Sequence, residues 1–332
     1  MKKALVIGID DYQPPNALAG CVNDAVEMAA ALEKNGDGSP NFTVKRLLSN
    51  EQEITCQLMH DNIVQLFQGD ASIAVLYFAG HGLVNDDTST GHLIATDGQH
   101  PNWGVSLSDI IQLANEAYPK ITSSVIILDS CQSGQLGQVT QTNKAGSAPS
   151  MIGDGVTILT ACHRDQKALE VDGHGKFTSI LLDGMTGAAS DILGRVTPAA
   201  LYAYVDQTLG EFSQRPIYKA NVQRFITLRE LPPKVDIKIL RKLPEYFPDA
   251  AHVFKLDPSF EPERGEETKR LASIPVDENN ARIFKELQQC SYVGLVKPSE
   301  HPHMWHSAVF SGGCQLTATG AHYRYLASIN KI

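Results

Sequence analysis

The chain has 332 residues, 42% of them hydrophobic, with 28 Lys and Arg against 37 Asp and Glu, a formal charge of -9. That much apolar material builds a sizeable core and excludes a disordered chain, and the length suggests about two domains. The acidic balance, with no long basic run to offset it, excludes a general nucleic-acid binder, whose affinity rests on neutralising phosphates.

The opening MKKALVIGID sets two lysines before an apolar stretch, but Asp10 and Asp11 end that stretch after six residues. That is too short for a secretory signal. No later segment approaches the eighteen or so apolar residues of a membrane span, so a soluble cytoplasmic protein is expected. ALVIGID (4–10) reads as a buried strand, and NDAVEMAAALEKNG (23–36) as a helix with apolar positions three and four apart. FTVKRLL and EITCQLMHDNIVQLFQ continue as strand and helix. SIAVLYFAG (72–80) is apolar throughout, like a parallel strand buried on both faces, and delivers His81 between Gly80 and Gly82. After the polar VNDDTSTG come a short strand at HLIAT and a helix near SLSDIIQLANEA. SSVIILDSC (123–131) repeats the buried-strand pattern and ends on Cys131. GVTILTA (155–161) is a further strand, GKFTSILLDGMTGA and TPAALYAYVDQTLGEF are helices, and RPIYK is a last strand. Strands alternating with helices over about 225 residues predict an α/β sheet with helices on both faces.

Beyond residue 228 the texture changes. Residues 229–276 mix charge with prolines and read as a connector, and 277–332 as a small C-terminal α+β domain. There, ENNARIFKELQQCSYVGLVKP predicts a helix ending near Gly294, and the following segment a hairpin turning at Gly312 and Gly313 before a last helix, a winged-helix-like pattern. His301, His303 and His306 lack a regular register for a metal, and Trp305, Tyr323 and Tyr325 suit a small core.

The six cysteines have no CxxC spacing, which argues against structural zinc, and reduced thiols are expected. In open α/β sheets ligands bind at the carboxyl ends of the strands. His81 and Cys131 leave two such ends, and if those strands are neighbours, imidazole and thiol make a nucleophile with its acid/base partner. The chain lacks GxGxxG, a GxxxxGK[ST] loop and a G-x-S-x-G elbow, which disfavours nucleotide-binding enzymes and α/β-hydrolases.

FAGHG and DSCQSG place His81 and Cys131 50 residues apart, and together with ALVIGIDDY, LAGCVNDA, TACHRDQKALE and GKFTS they resemble the caspase and metacaspase superfamily over residues 1 to about 225. The QAC context of true caspases is absent, and the DSC form is similar to metacaspases and bacterial caspase-like proteases. The resemblance implies a caspase-haemoglobinase-like sheet of about six mostly parallel strands in a peptidase domain at 1–228. It implies a cysteine endopeptidase in which Cys131 attacks, His81 is acid/base, and the N–H groups of Gly82 and Cys131 form the oxyanion hole. It further implies that Asp24 and Asp129 select Arg, or Lys, before the scissile bond; two carboxylates facing one pocket suit a cation. No cofactor is required. Calcium is considered at Asp86, Asp87 and Asp97, whose spacing better suits a solvated acidic loop. Lys144 lies in a loop suited to self-cleavage. Bacterial caspase-like proteases are often joined to sensing domains as antiviral effectors, which implies a latent enzyme gated at its C-terminal part by a protein or nucleotide-derived activator. The alternative is a catalytically silent scaffold of the same fold.

Overall fold

In the computed structural model, which describes residues 1–13, 15–85, 90–130, 152–161, 170–171, 174–211 and 215–332, the chain divides into units Met1–Pro232 and Pro233–Ile332. The first unit runs β1 (Lys2–Gly8), α1 (Cys21–Glu33), β2 (Thr43–Leu48), α2 (Cys56–Leu66), β3 (Ile73–Ala79), β4 (Gly82–Asn85), β5 (Thr90–Gln99), β6 (Asn102–Ser106), α3 (Leu107–Ala117) and β7 (Ser124–Asp129). It continues with β8 (Val156–Thr160), β9 (Glu170–Val171), β10 (His174–Gly175), α4 (Lys176–Asp183), β11 (Arg195–Val196), α5 (Pro198–Leu209), β12 (Ile217–Asn221) and β13 (Arg229–Glu230).

Among the described residues, six strands form one sheet in the order β12-β8-β7-β3-β1-β2, with β12 antiparallel to β8 and the others parallel. Successive side chains of a strand point to opposite faces, so strands covered on both sides must be apolar at every position. β3, β7 and β8 are buried throughout, whereas the edge strands β2 and β12 carry exposed polar residues. Val6, Val75, Tyr77, Val125 and Ile127 pack on one face with Ala25 and Met28 of α1, Leu181 of α4 and Leu201 of α5. Leu5, Leu76, Phe78, Ile126 and Leu128 pack on the other with Met59 and Ile63 of α2 and Ile110 of α3. Each large apolar side chain so buried contributes about 1.5–3 kcal/mol, which makes this two-sided core the main stabilising element of the unit.

From β1 the chain moves outward to β2, then returns to β3 on the other side of β1. The strand order therefore reverses between β1 and β3, the point at which open α/β sheets leave a crevice at their carboxyl end. At that end Asp10 accepts the N–H groups of Cys21 (2.8 Å) and Val22 (3.2 Å), which a helix start leaves without intrahelical partners. Gly8 lets α1 lie close: a Cβ there would stand 2.5 Å from the Cys21 carbonyl oxygen.

The stretch after His81 differs from the sequence expectation. In place of one short strand, β4, β5 and β6 form a three-stranded antiparallel ribbon in which Gly82 pairs with Leu93; residues 86–89 of the expected polar loop lie outside the described residues. Leu93, Ala95 and Val105 turn inward to the α2–α3 side of the core.

The second unit contains α6 (Ile237–Leu240), α7 (Leu243–Tyr246), β14 (Val253–Lys255), α8 (Glu278–Tyr292), β15 (Val296–Pro298), α9 (Met304–Val309), β16 (Gly313–Leu316) and α10 (Ala318–Ser328). It is α+β, with an antiparallel sheet in the order β14-β16-β15. Of residues 229–276, expected as a connector, Val253–Lys255 supply β14 to this sheet, and Arg264 is buried with its guanidinium donating to the carbonyls of Pro258, Glu261, Leu271 and Ile274. The helix ending near Gly294 is α8, but the expected hairpin is corrected: Met304–Val309 is helical, because Met304, Ala308 and Val309 bury one helical face, and only β16 follows Gly312. No helix among the described residues is long and apolar enough to cross a membrane.

Asp10→Ala removes both acceptors at the start of α1, so a loss of about 1–2 kcal/mol is expected in urea unfolding followed by circular dichroism.

Candidate active site

β3 and β7 are parallel neighbours with Ala79 paired to Asp129, and the Gly80 N–H donates to the Asp129 carbonyl at 3.2 Å. The chain reaches His81 two residues after Ala79, and Cys131 two residues after Asp129. Cys131 itself lies outside the described residues, as do Asp86, Asp87 and Lys144.

His81 is held from three directions. Its backbone N–H donates to the Tyr12 hydroxyl at 3.0 Å, its carbonyl accepts the Ile94 N–H at 3.0 Å, and its Nε2 stands 2.6 Å from the Asn16 carbonyl. A carbonyl only accepts, so Nε2 carries a proton, and in the neutral ring Nδ1 is left as the basic nitrogen. The Tyr12 ring packs on the imidazole with centroids 4.5 Å apart, and its hydroxyl donates to the Ile94 carbonyl at 3.2 Å. Burial pushes the Tyr12 phenol up, so it remains a neutral hydroxyl anchor. Gly82, next in the chain, opens β4.

Asp24 and Asp129 come from α1 and the end of β7 and are both buried. They converge on Gly175, where an added Cβ would lie 2.4 Å from Asp129 Oδ2 and 3.0 Å from Asp24 Oδ2; only glycine fits without displacing a carboxylate. Asp24 Oδ2 accepts the Gly175 N–H at 2.8 Å, and Oδ1 lies 2.8 Å from Nδ1 of His174. Asp129 Oδ2 accepts from the Thr178 hydroxyl at 2.8 Å and from its N–H at 3.3 Å. Since that hydroxyl has one proton, and Asp129 takes it, the Tyr77 hydroxyl 2.7 Å away donates to Thr178 Oγ1. Burial raises the Asp24 carboxyl above its usual range, against the opposing pull of the Gly175 N–H and His174, while the hydrogen bond to Asp24 raises the His174 imidazole.

The fold thus brings Asp24 to Asp129, and His81 to the neighbouring strand end. Sequence reasoning missed Tyr12, Asn16, His174 and Thr178; the available signals were DY just past the first strand and the HGKFTS stretch. Asp97, considered for calcium, accepts the Cys56 N–H at the start of α2 at 2.7 Å. Among the described residues no group of three or more His, Cys, Asp or Glu is arranged to hold a metal ion. In the second unit, Trp305 Nε1 donates to the Glu263 carbonyl at 2.8 Å and Tyr323 is buried, while Tyr325 is half exposed.

Residues 1–226 match the Caspase domain family, Peptidase C14. The chain is similar to Metacaspase-2 of Trypanosoma brucei brucei, 26% identical, with 56% of this chain and 60% of that protein covered. Its similarity to Metacaspase-3 of the same organism is also 26%, covering 56% of this chain and 58% of the relative. The chain thus spans about 60% of the length of these metacaspases. The fold is similar to that of a crystal structure of Caspase-1 from Spodoptera frugiperda, with TM-score 0.50, 12% identity, and 69% of this chain and 90% of that one covered.

Thr178→Val keeps the shape but removes the donor to Asp129 and the acceptor of Tyr77, and is expected to cost about 1–3 kcal/mol in urea unfolding at pH 7. His174 has a raised folded-state pKa, so its stabilising contribution is full below the unfolded value of about 6.5 and is lost as pH rises through the folded value. Subtracting the unfolding free energy of His174→Gln from that of the parent across pH 5–9 should give a difference that shrinks with rising pH.

Proposed function

Because the chain belongs to the caspase-domain peptidase family, we propose that its first unit is a cysteine endopeptidase with Cys131 as nucleophile and His81 as acid/base. The observation that supports this reading is the register of β3 on β7, which pairs Ala79 with Asp129; in the sequence, His81 and Cys131 each follow these residues by two. The bond from His81 Nε2 to the Asn16 carbonyl leaves Nδ1 to take the thiol proton. The Cys131 thiolate then attacks the peptide carbonyl carbon, and the N–H groups of Gly82 and Cys131 receive the developing oxyanion. The imidazolium returns its proton to the leaving amine, giving an acyl-enzyme. A water molecule, losing a proton to His81, hydrolyses the thioester and restores the thiol.

The substrates proposed are proteins or peptides with Arg, or Lys, before the scissile bond. The convergence of Asp24 and Asp129 on one point supports this, since two buried carboxylates side by side favour a cation. A guanidinium has the better geometry, because it can give a carboxylate two parallel N–H donors. The second unit is proposed as the control element through which a protein or nucleotide-derived activator releases a latent enzyme, in the setting of antiviral defence and in the cytoplasm.

Fluorogenic peptides ending in Arg, Lys or Asp, offered to parent and Cys131→Ala protein with and without calcium, test the reading. Cleavage after Arg exceeding that after Lys, none after Asp, and a loss of at least about a thousandfold in the variant are expected. Equal cleavage by parent and variant would remove Cys131 from the chemistry, and cleavage after Asp would overturn the acidic pair as the recognition site.

A further inference from the structure

The surroundings of Asp24 hold more than the reading above uses. Its side chain is 2% exposed and that of His174 is 30% exposed, so of the two the imidazole is the one in contact with solvent. Oδ1 is engaged by His174 and Oδ2 by the Gly175 N–H, each at 2.8 Å. Resting on the assignment of Asp24 and Asp129 to recognition of a basic side chain, we infer that His174 occupies the cation position of that site at rest, and that a substrate guanidinium binds by displacing its imidazole.

Three features make the exchange chemically reasonable. The imidazole offers Asp24 a single N–H, whereas a guanidinium offers a carboxylate two in parallel and remains charged at every relevant pH. The partially exposed ring has solvent to move into. The Gly175 N–H stays on Oδ2 when the ring leaves, so the buried carboxylate keeps one donor throughout.

The charges around the ring set how firmly it is held. From α1, Asp24 lies at 2.8 Å from Nδ1 and Glu27 at 3.9 Å from Nε2. From β7, Asp129 Oδ2 stands beside Asp24 Oδ2 against Gly175, and Lys176 begins α4 two residues along the chain. The carboxylates favour the imidazolium, so the ring is hardest to displace in acid and gives way more readily as pH rises through its folded-state value. His174 is thereby a specificity-determining residue: a side chain that cannot outcompete an imidazolium for Asp24 is refused.

The test uses full-length Cys131→Ala protein with ¹³C-labelled histidine, titrated with agmatine as the guanidinium probe, and the His174 ring signal is assigned with a further His174→Gln change. Saturating agmatine should move the His174 signal to the position and pKa of a free histidine. At pH 6 the His174→Gln protein should bind agmatine about tenfold more tightly, because the fraction with an open site limits apparent affinity. Agmatine binding that leaves the His174 signal in place would overturn the displacement while leaving a cation-binding site standing. Binding to neither protein would remove the acidic recognition site and the displacement with it. Should His174→Gln not fold, the titration of the parent decides, with Asp24→Asn providing the assignment.

Discussion

Two carboxylates buried side by side are costly unless each finds donors, and much of the first unit is arranged around meeting that cost at Asp24 and Asp129. One short stretch, His174 to Thr178, supplies donors to both and is also where α4 begins. The stretch must therefore lie flat against the ends of α1 and β7, and residue 175 can carry no side chain. Tyr77 extends the arrangement into the middle of the sheet through the Thr178 hydroxyl, so the site and the core share a hydrogen-bond chain. Such a chain makes the position of the carboxylates a property of the core packing rather than of a loop.

His81 is positioned by a different device. The sheet changes direction between β1 and β3, and the segment leaving β1 crosses above the end of β3. That segment provides Tyr12 and Asn16 to the histidine and Asp10 to the start of α1. A single excursion of the backbone thus sets the tautomer of the imidazole and orients the helix that carries Asp24. Residues 10 to 24 thus link the two halves of the site along the chain.

The apolar runs at 72–80 and 123–129 were legible because a strand buried on both faces leaves no room for polar residues. Their neighbour relation was a supposition from the sequence, and the order β7-β3-β1 establishes it. Asp24 and Asp129 were legible only through the resemblance to known peptidases. His174 was not, because its bond to Asp24 spans 150 residues and a lone histidine in a polar stretch carries no periodicity. The ribbon after His81 is less legible in the sequence, since β5 alternates inward but β6 buries Val105 alone. Residues 229–276 read as a connector because their elements are short and their buried apolar residues, among them Leu240, Leu243, Phe247, Leu256 and Phe260, keep no single period.

Arg264 shows what such an arrangement means for robustness. A sheet or helix spreads its hydrogen bonds over many backbone donors, so no one side chain is indispensable to them. Around residues 258–274, one guanidinium serves four carbonyls. A lysine would bring a point charge where a planar fork is needed, and an uncharged residue would take a donor from all four carbonyls at once, although those of Pro258 and Leu271 also accept the N–H groups of Glu261 and Ile274. In the first unit the hydrogen bonds are distributed along the strands; in the second, four of them gather on one side chain at this segment.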